Sequence, residues 1–192
     1  MFLLRLGEGQ QDGIEIVKSY QEAVQFHGHS CLGLAMGYRM TKAVLDHFSV
    51  DRAEDEELVA IVENDACGVD AVQFLSGCTF GKGNLIFKDY GKMVYTFYHR
   101  ASGKAVRISR KTNFKKKLSD AQMSREEGIN LILTAPEKDI IQIKEINMQE
   151  PEYSRIFSTV LCEICEESVV ENKTRMLYGK TVCIPCYKEN NK

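Results

Sequence analysis

Apolar residues recur every three or four positions from Ile14 to Phe26, at Ile14, Val17, Tyr20, Ala23 and Val24, a spacing that turns one face of a helix inward. A second helix is predicted over about Leu32 to His47, through Leu34, Tyr38, Ala43 and Val44. The run Leu58-Val59-Ala60-Ile61-Val62 is short, apolar and rich in β-branched residues, which predicts a buried strand. Val69 to Leu75 reads as a helix. Met93 to His99 and Lys104 to Ser109 alternate with period two, and Ala101-Ser102-Gly103 between them suits a hairpin turn. Ser124-Arg125-Glu126-Glu127 has the capping-box pattern and opens a helix to about Ala135, which Pro136 ends. Ile140 to Ile146 is predicted to be a strand. The polar stretches between are read as loops: acidic Asp51 to Glu57, glycine-rich Gly77 to Asn84, and the basic run Lys115-Lys116-Lys117. Pro151-Glu152-Tyr153-Ser154 reads as a linker, dividing a core of residues 1–150 from a small module of residues 155–192.

Composition is that of a globular chain: 192 residues, 44% hydrophobic and 27% charged, with a formal net charge of -2. Such a balance argues against a dominant nucleic-acid role, which needs a concentrated positive surface. No apolar run reaches the roughly 18–20 residues that span a bilayer. The first residues, Met1 to Glu8, lack the features of a secretory signal. A cytoplasmic setting is therefore expected, and in a reducing compartment the seven cysteines are read as metal ligands or reactive thiols rather than disulfides.

Four of those cysteines form two Cys-x-x-Cys pairs, Cys162/Cys165 and Cys183/Cys186, with 17 residues between the pairs. Each pair lets two thiolates meet one ion from a single tight loop, and two pairs complete a tetrahedron around zinc. The intervening segment has room for a hairpin turning near Tyr178-Gly179-Lys180, and the polar tail after Cys186 suits a helix. Knuckle, hairpin and helix make a treble-clef finger; a zinc ribbon is the alternative. A closed four-thiolate site leaves no open position, so its role is structural. The module's charge is mixed, which weakens a nucleic-acid reading for it.

The other three cysteines, Cys31, Cys67 and Cys78, each lie in a turn beside a glycine or one residue from it, and the first two precede predicted helices, whose N-termini favour a thiolate. His27, His29 and Cys31 alternate within five residues, which brings two or three donor atoms near one point. His27, His29, Cys31, Cys67 and Cys78 are therefore candidates for one core site, either a metal site of zinc, iron or another borderline ion or a thiolate site. Asp70 is a candidate ligand, histidine partner or helix N-terminal acid, and Lys82 a candidate for attracting an anionic substrate. His47 and His99 have no such company. Gly77 to Gly83 imitates a phosphate loop, but with three residues between its outer glycines and no Ser or Thr after Lys82 it fails the pattern.

Three ordered blocks carry a family resemblance: Phe26-His27-Gly28-His29-Ser30-Cys31-Leu32-Gly33-Leu34, Cys67-Gly68-Val69-Asp70-Ala71-Val72-Gln73, and Gly77-Cys78-Thr79-Phe80-Gly81-Lys82-Gly83-Asn84-Leu85, followed by Asp89-Tyr90-Gly91-Lys92. Together they resemble the E-type subunits of formylmethanofuran dehydrogenase over roughly residues 15–150. The match departs at Leu32, where that family usually carries proline. The resemblance implies an α+β core with an antiparallel-rich sheet and packed helices, a C-terminal treble-clef zinc finger, and a homodimer exchanging elements between protomers. It also implies a site built from the histidines and cysteines above; Cys31, Cys67, Asp70 and Lys82 are the catalytic candidates. The chain lacks the four-cysteine ferredoxin run that would hold an iron–sulfur cluster. The expected role is thus a metal-binding accessory, redox-associated and able to join an enzyme complex. The alternative is a non-enzymatic adaptor that docks a partner protein through its finger.

Overall fold

The computed structural model describes residues 19–120 and 123–191, without the side chains of residues 115, 117, 119 and 120. The chain divides into two units, Met1–Tyr153 and Ser154–Lys192. Expectations for Met1 to Lys18, including the start of the first helix, lie outside the described residues.

A five-stranded sheet in the order β2-β1-β3-β4-β5 organises the first unit. Its strands are β1 (Leu58–Val62), β2 (Leu85–Phe87), β3 (Val94–His99), β4 (Lys104–Arg110) and β5 (Ile141–Ile146). β1 pairs antiparallel with β3, β3 with β4 and β4 with β5, whereas β1 and β2 run parallel. All five residues of β1 are buried, as expected of an uninterrupted apolar run in a strand with neighbours on both sides and both faces covered. Leu58, Ala60, Val62, Tyr95, Phe97, Val106 and Ile108 project into the main core. The intervening Val59, Tyr98 and Ala105 form a smaller cluster on the opposite face with Ile86, Ile146 and Met148.

The helices are α1 (residues 19–27), α2 (Leu32–Phe48), α3 (Gly68–Ser76), α4 (Thr112–Asp120), α5 (Arg125–Thr134) and the single turn α6 (Glu137–Ile140). The capping box at Ser124 and Glu127 is formed, and α5 ends before Pro136 as expected. Three elements differ from the pattern reading. The basic run Lys115-Lys116-Lys117, read as a loop, lies on α4, whose Phe114 is buried in the core. Glu137–Ile140 turns once before β5 begins. The three-residue β2 was not foreseen after the glycine-rich loop, because it is too short to show a period and is defined by its pairing with Ala60, Ile61 and Val62.

Two features position the site. α2 and α3 cross at glycines: a Cβ at Gly37 would lie 2.4 Å from Gly68 Cα, and one at Gly33 would meet Cys67 Cβ at 3.3 Å. That approach brings the N-termini of the two helices together. Gly28, with φ of 93°, ends α1 in a backbone conformation that L side chains rarely adopt, leaving His27 at the helix's last position.

The second unit contains strands β6 (Thr159–Leu161) and β7 (Ser168–Val170) flanking the first cysteine pair. A hairpin of β8 (Thr174–Leu177) and β9 (Lys180–Cys183) follows, then helix α7 (Ile184–Asn190). Knuckle, hairpin and a second pair at a helix start give the treble-clef order. The hairpin turns through Tyr178 and Gly179, both at positive φ.

Candidate metal centres

His27, His29, Cys31 and Cys67 each offer one donor atom, and these atoms all lie within 4.8 Å of one another. They come from four places: the end of α1, the turn after it, and the N-caps of α2 and α3. The Cys31 thiol caps α2 by accepting the Leu34 N–H at 3.3 Å. Cys67 begins α3, and burial, then the neighbouring Cys31, push its thiol pKa up from the ordinary value. A thiolate at Cys67 therefore calls for a cation beside it.

His27 Nδ1 lies 2.6 Å from Asp70 Oδ2 on the first turn of α3. A carboxylate that accepts from Nδ1 favours the tautomer whose Nε2 presents its lone pair. That Nε2 is buried and has no hydrogen-bond partner, and the His27 side chain as a whole is only 10% exposed. An orphaned buried nitrogen is costly unless something binds it. Beside two thiols and a second imidazole, it fits a borderline metal ion. Asp70 thus holds the His27 ring from the first turn of α3, one of the arrangements open to it from the sequence.

Two candidates are not brought to the cluster. Cys78 is fully buried, and its thiol donates to the Leu58 carbonyl at 3.2 Å. Burial pushes its pKa up to about 11. It lies past Gly77, where the αL C-cap of α3 turns the chain back under β1, which makes it a small core residue rather than a site residue. Lys82 Nζ donates to the carbonyls of Ala53, Glu54 and Asp55 at 3.0–3.3 Å, so it closes the acidic loop instead of facing an anion at the cluster.

A cavity of about 440 Å³ opens beside the cluster. Its wall includes His27, Cys67, Asp70, Asp65, Phe80 and Phe87. No pattern in the sequence pointed to Asp65 or the two phenylalanines, which stand in three separate segments.

In the second unit Cys162, Cys165, Cys183 and Cys186 also place their sulfurs within 4.8 Å of one another. Cys165 and Cys183 Sγ are 3.8 Å apart, and the Cys183 N–H donates to Cys162 Sγ at 3.3 Å. Backbone donors, first that of Cys165, lower the Cys162 pKa to about 6, whereas the adjacent Cys183 pushes Cys186 well up. Four such thiols cannot all ionise at neutral pH without a cation among them.

A family described as "FmdE, Molybdenum formylmethanofuran dehydrogenase operon" matches residues 26–152. A probable S-adenosyl-L-methionine-binding protein of Archaeoglobus fulgidus is 29% identical over 191 residues, covering 85% of this chain and 51% of its own. The chain thus spans about half the length of that curated relative. The crystal structure of an FmdE-like protein of the tungsten formylmethanofuran dehydrogenase type, from Syntrophus aciditrophicus, superposes with a TM-score of 0.65. It is 23% identical and the match covers 90% of this chain and 94% of that one, a likeness of fold.

Proposed function

The chain belongs to the FmdE family, and we propose that it is an accessory, oxidoreductase-associated metal protein with two separate centres. The core centre holds one ion on His27, His29, Cys31 and Cys67. The four cysteines of the second unit hold a structural zinc. One observation carries the core reading: His27, whose Nε2 is buried and unpartnered, shares a cluster of donor atoms within 4.8 Å with two thiols and a second imidazole. Two nitrogens and two sulfurs suit zinc or iron(II). The tail reading is supported by paired Cys-x-x-Cys loops in a treble-clef frame.

Metal content measured by plasma mass spectrometry on the purified full-length chain tests both. We expect two ions per chain, falling to one in Cys67→Ser and in His27→Ala with the tail zinc retained. One zinc per chain, unchanged in those variants, would remove the core centre.

A second reading, docking of a partner protein through the finger, is supported by exposed apolar side chains on the second unit: Leu161, Met176 and Tyr178 are 65%, 64% and 85% exposed. Co-purification tests it. Loss of a bound partner on replacing Met176 and Tyr178 by serine favours docking; an unchanged complex rejects it.

A further inference from the structure

The four donors of the core cluster are not held alike. His27 is fixed by Asp70, Cys31 by the Leu34 N–H, and Cys67 by its place at the start of α3 against Gly33. The turn after His29 is anchored as well. The Tyr20 hydroxyl bonds Ser30 Oγ at 2.9 Å, and Arg125 donates to the Ser30 carbonyl at 2.6 Å. His29 itself is exposed, and among the described residues no hydrogen bond holds its ring, which leans on that of His27 at 4.5 Å between centroids. Gly28 before it borders open space. Three ligands are built into the fold and the fourth stands at the surface on a glycine. Four fixed ligands make a structural site; three and an exchangeable position make a reactive one.

The adjoining cavity says what enters. Val62, Leu85, Phe80 and Phe87 supply an apolar wall, Asp65 and Asp70 supply carboxylates, and among the described residues no Lys or Arg lines it. An apolar body is favoured there and an anion is repelled.

We propose that His29 is an exchangeable ligand, and that its position is taken from the cavity by a small neutral or cationic molecule carrying one nitrogen or sulfur donor on an apolar body. This rests on the core centre proposed above. Cobalt(II), whose spectrum reports its ligands, tests it in the full-length chain after the core is emptied with a mild chelator. His29→Ala is expected to bind cobalt within about tenfold of the parent, whereas His27→Ala and Cys67→Ser weaken it by more than about a hundredfold. His29→Gln, closer in size, repeats the measurement if the alanine variant elutes abnormally. In His29→Ala, and at higher concentration in the parent, 4-phenylimidazole should shift the cobalt bands, more tightly than imidazole, with imidazole-4-acetate the weakest. Exchange is overturned if the His29 variants lose cobalt as fully as Cys67→Ser, if 4-phenylimidazole leaves the bands unmoved, or if the anionic probe binds best. A parent whose core takes up no cobalt instead overturns the metal reading beneath it.

Discussion

Two acidic or thiol side chains show how burial and partnership divide the candidates. Asp70 touches no metal position of its own in the cluster; it holds the His27 ring and its tautomer at 2.6 Å. Removing such a partner costs about 10–100-fold in metal affinity. Asp70→Ala should therefore weaken core metal by that factor, read by competition with a chromophoric chelator, while the tail metal is unchanged. Cys78 behaves oppositely. Its neutral thiol is favoured by the fold, with a pKa pushed from 9.0 to about 11. Below pH 9 the thiol is neutral in both folded and unfolded chains, so its full contribution is present. As pH rises from about 9 to 11 the unfolded thiol ionises first, and about 3 kcal/mol is lost by linkage. Urea unfolding of the parent should fall more steeply over that range than unfolding of Cys78→Ala, which starts about 1 kcal/mol lower from lost packing. Parallel curves would mean that the thiol is not buried as described.

The crossing of α2 and α3 brings Cys31 and Cys67 into one cluster, so its glycines bear on the site from a distance. Gly37→Ala gains at most ~1 kcal/mol of helix propensity. Against that, the new methyl would lie 2.4 Å from Gly68 Cα, and backbone cannot give as a flexible side chain would. Overpacking of ~1–3 kcal/mol wins. We expect a lower melting temperature and a weakened core centre in Gly37→Ala, with Gly81→Ala, which borders open space, showing neither. Legibility in the sequence also divides at this scale. The elements with a clear period were readable: α2, the wholly apolar β1, and the β3–β4 hairpin, found within one residue of their predicted ends. The elements defined by tertiary contact were not. β2 is a strand by virtue of its pairing with β1, and α4 is a lysine-rich helix anchored by one buried phenylalanine, Phe114. Within the site, spacing grouped His27, His29 and Cys31, since five residues of chain hold them together. Glycine-flanked turns put Cys67 and Cys78 in the same class, but turn composition does not say which way a turn faces. Gly68 opens α3 toward the cluster, while Gly77 ends it away from the cluster.

The two units rest on different physics. The first buries a large cluster that includes Tyr20, Tyr38, Tyr95 and Phe97 against a five-stranded sheet. The second buries Leu177 and Val182 together with three cysteines. Two buried aliphatic side chains are too small a core to hold a unit of this length by packing, and metal binding by four thiolates supplies folding free energy directly. The two units should then differ in stability when the tail metal is withdrawn. Titrating the full-length chain with a mercurial, and following released zinc with a chromophoric chelator, should abolish amide protection across residues 159–190. Protection in β1, β3 and β4 should persist, because no thiol of those strands is a ligand and their hydrogen bonds lie within the sheet. If the second unit kept its protection after zinc release was complete, its fold would be held by packing and the structural role of the metal would fail.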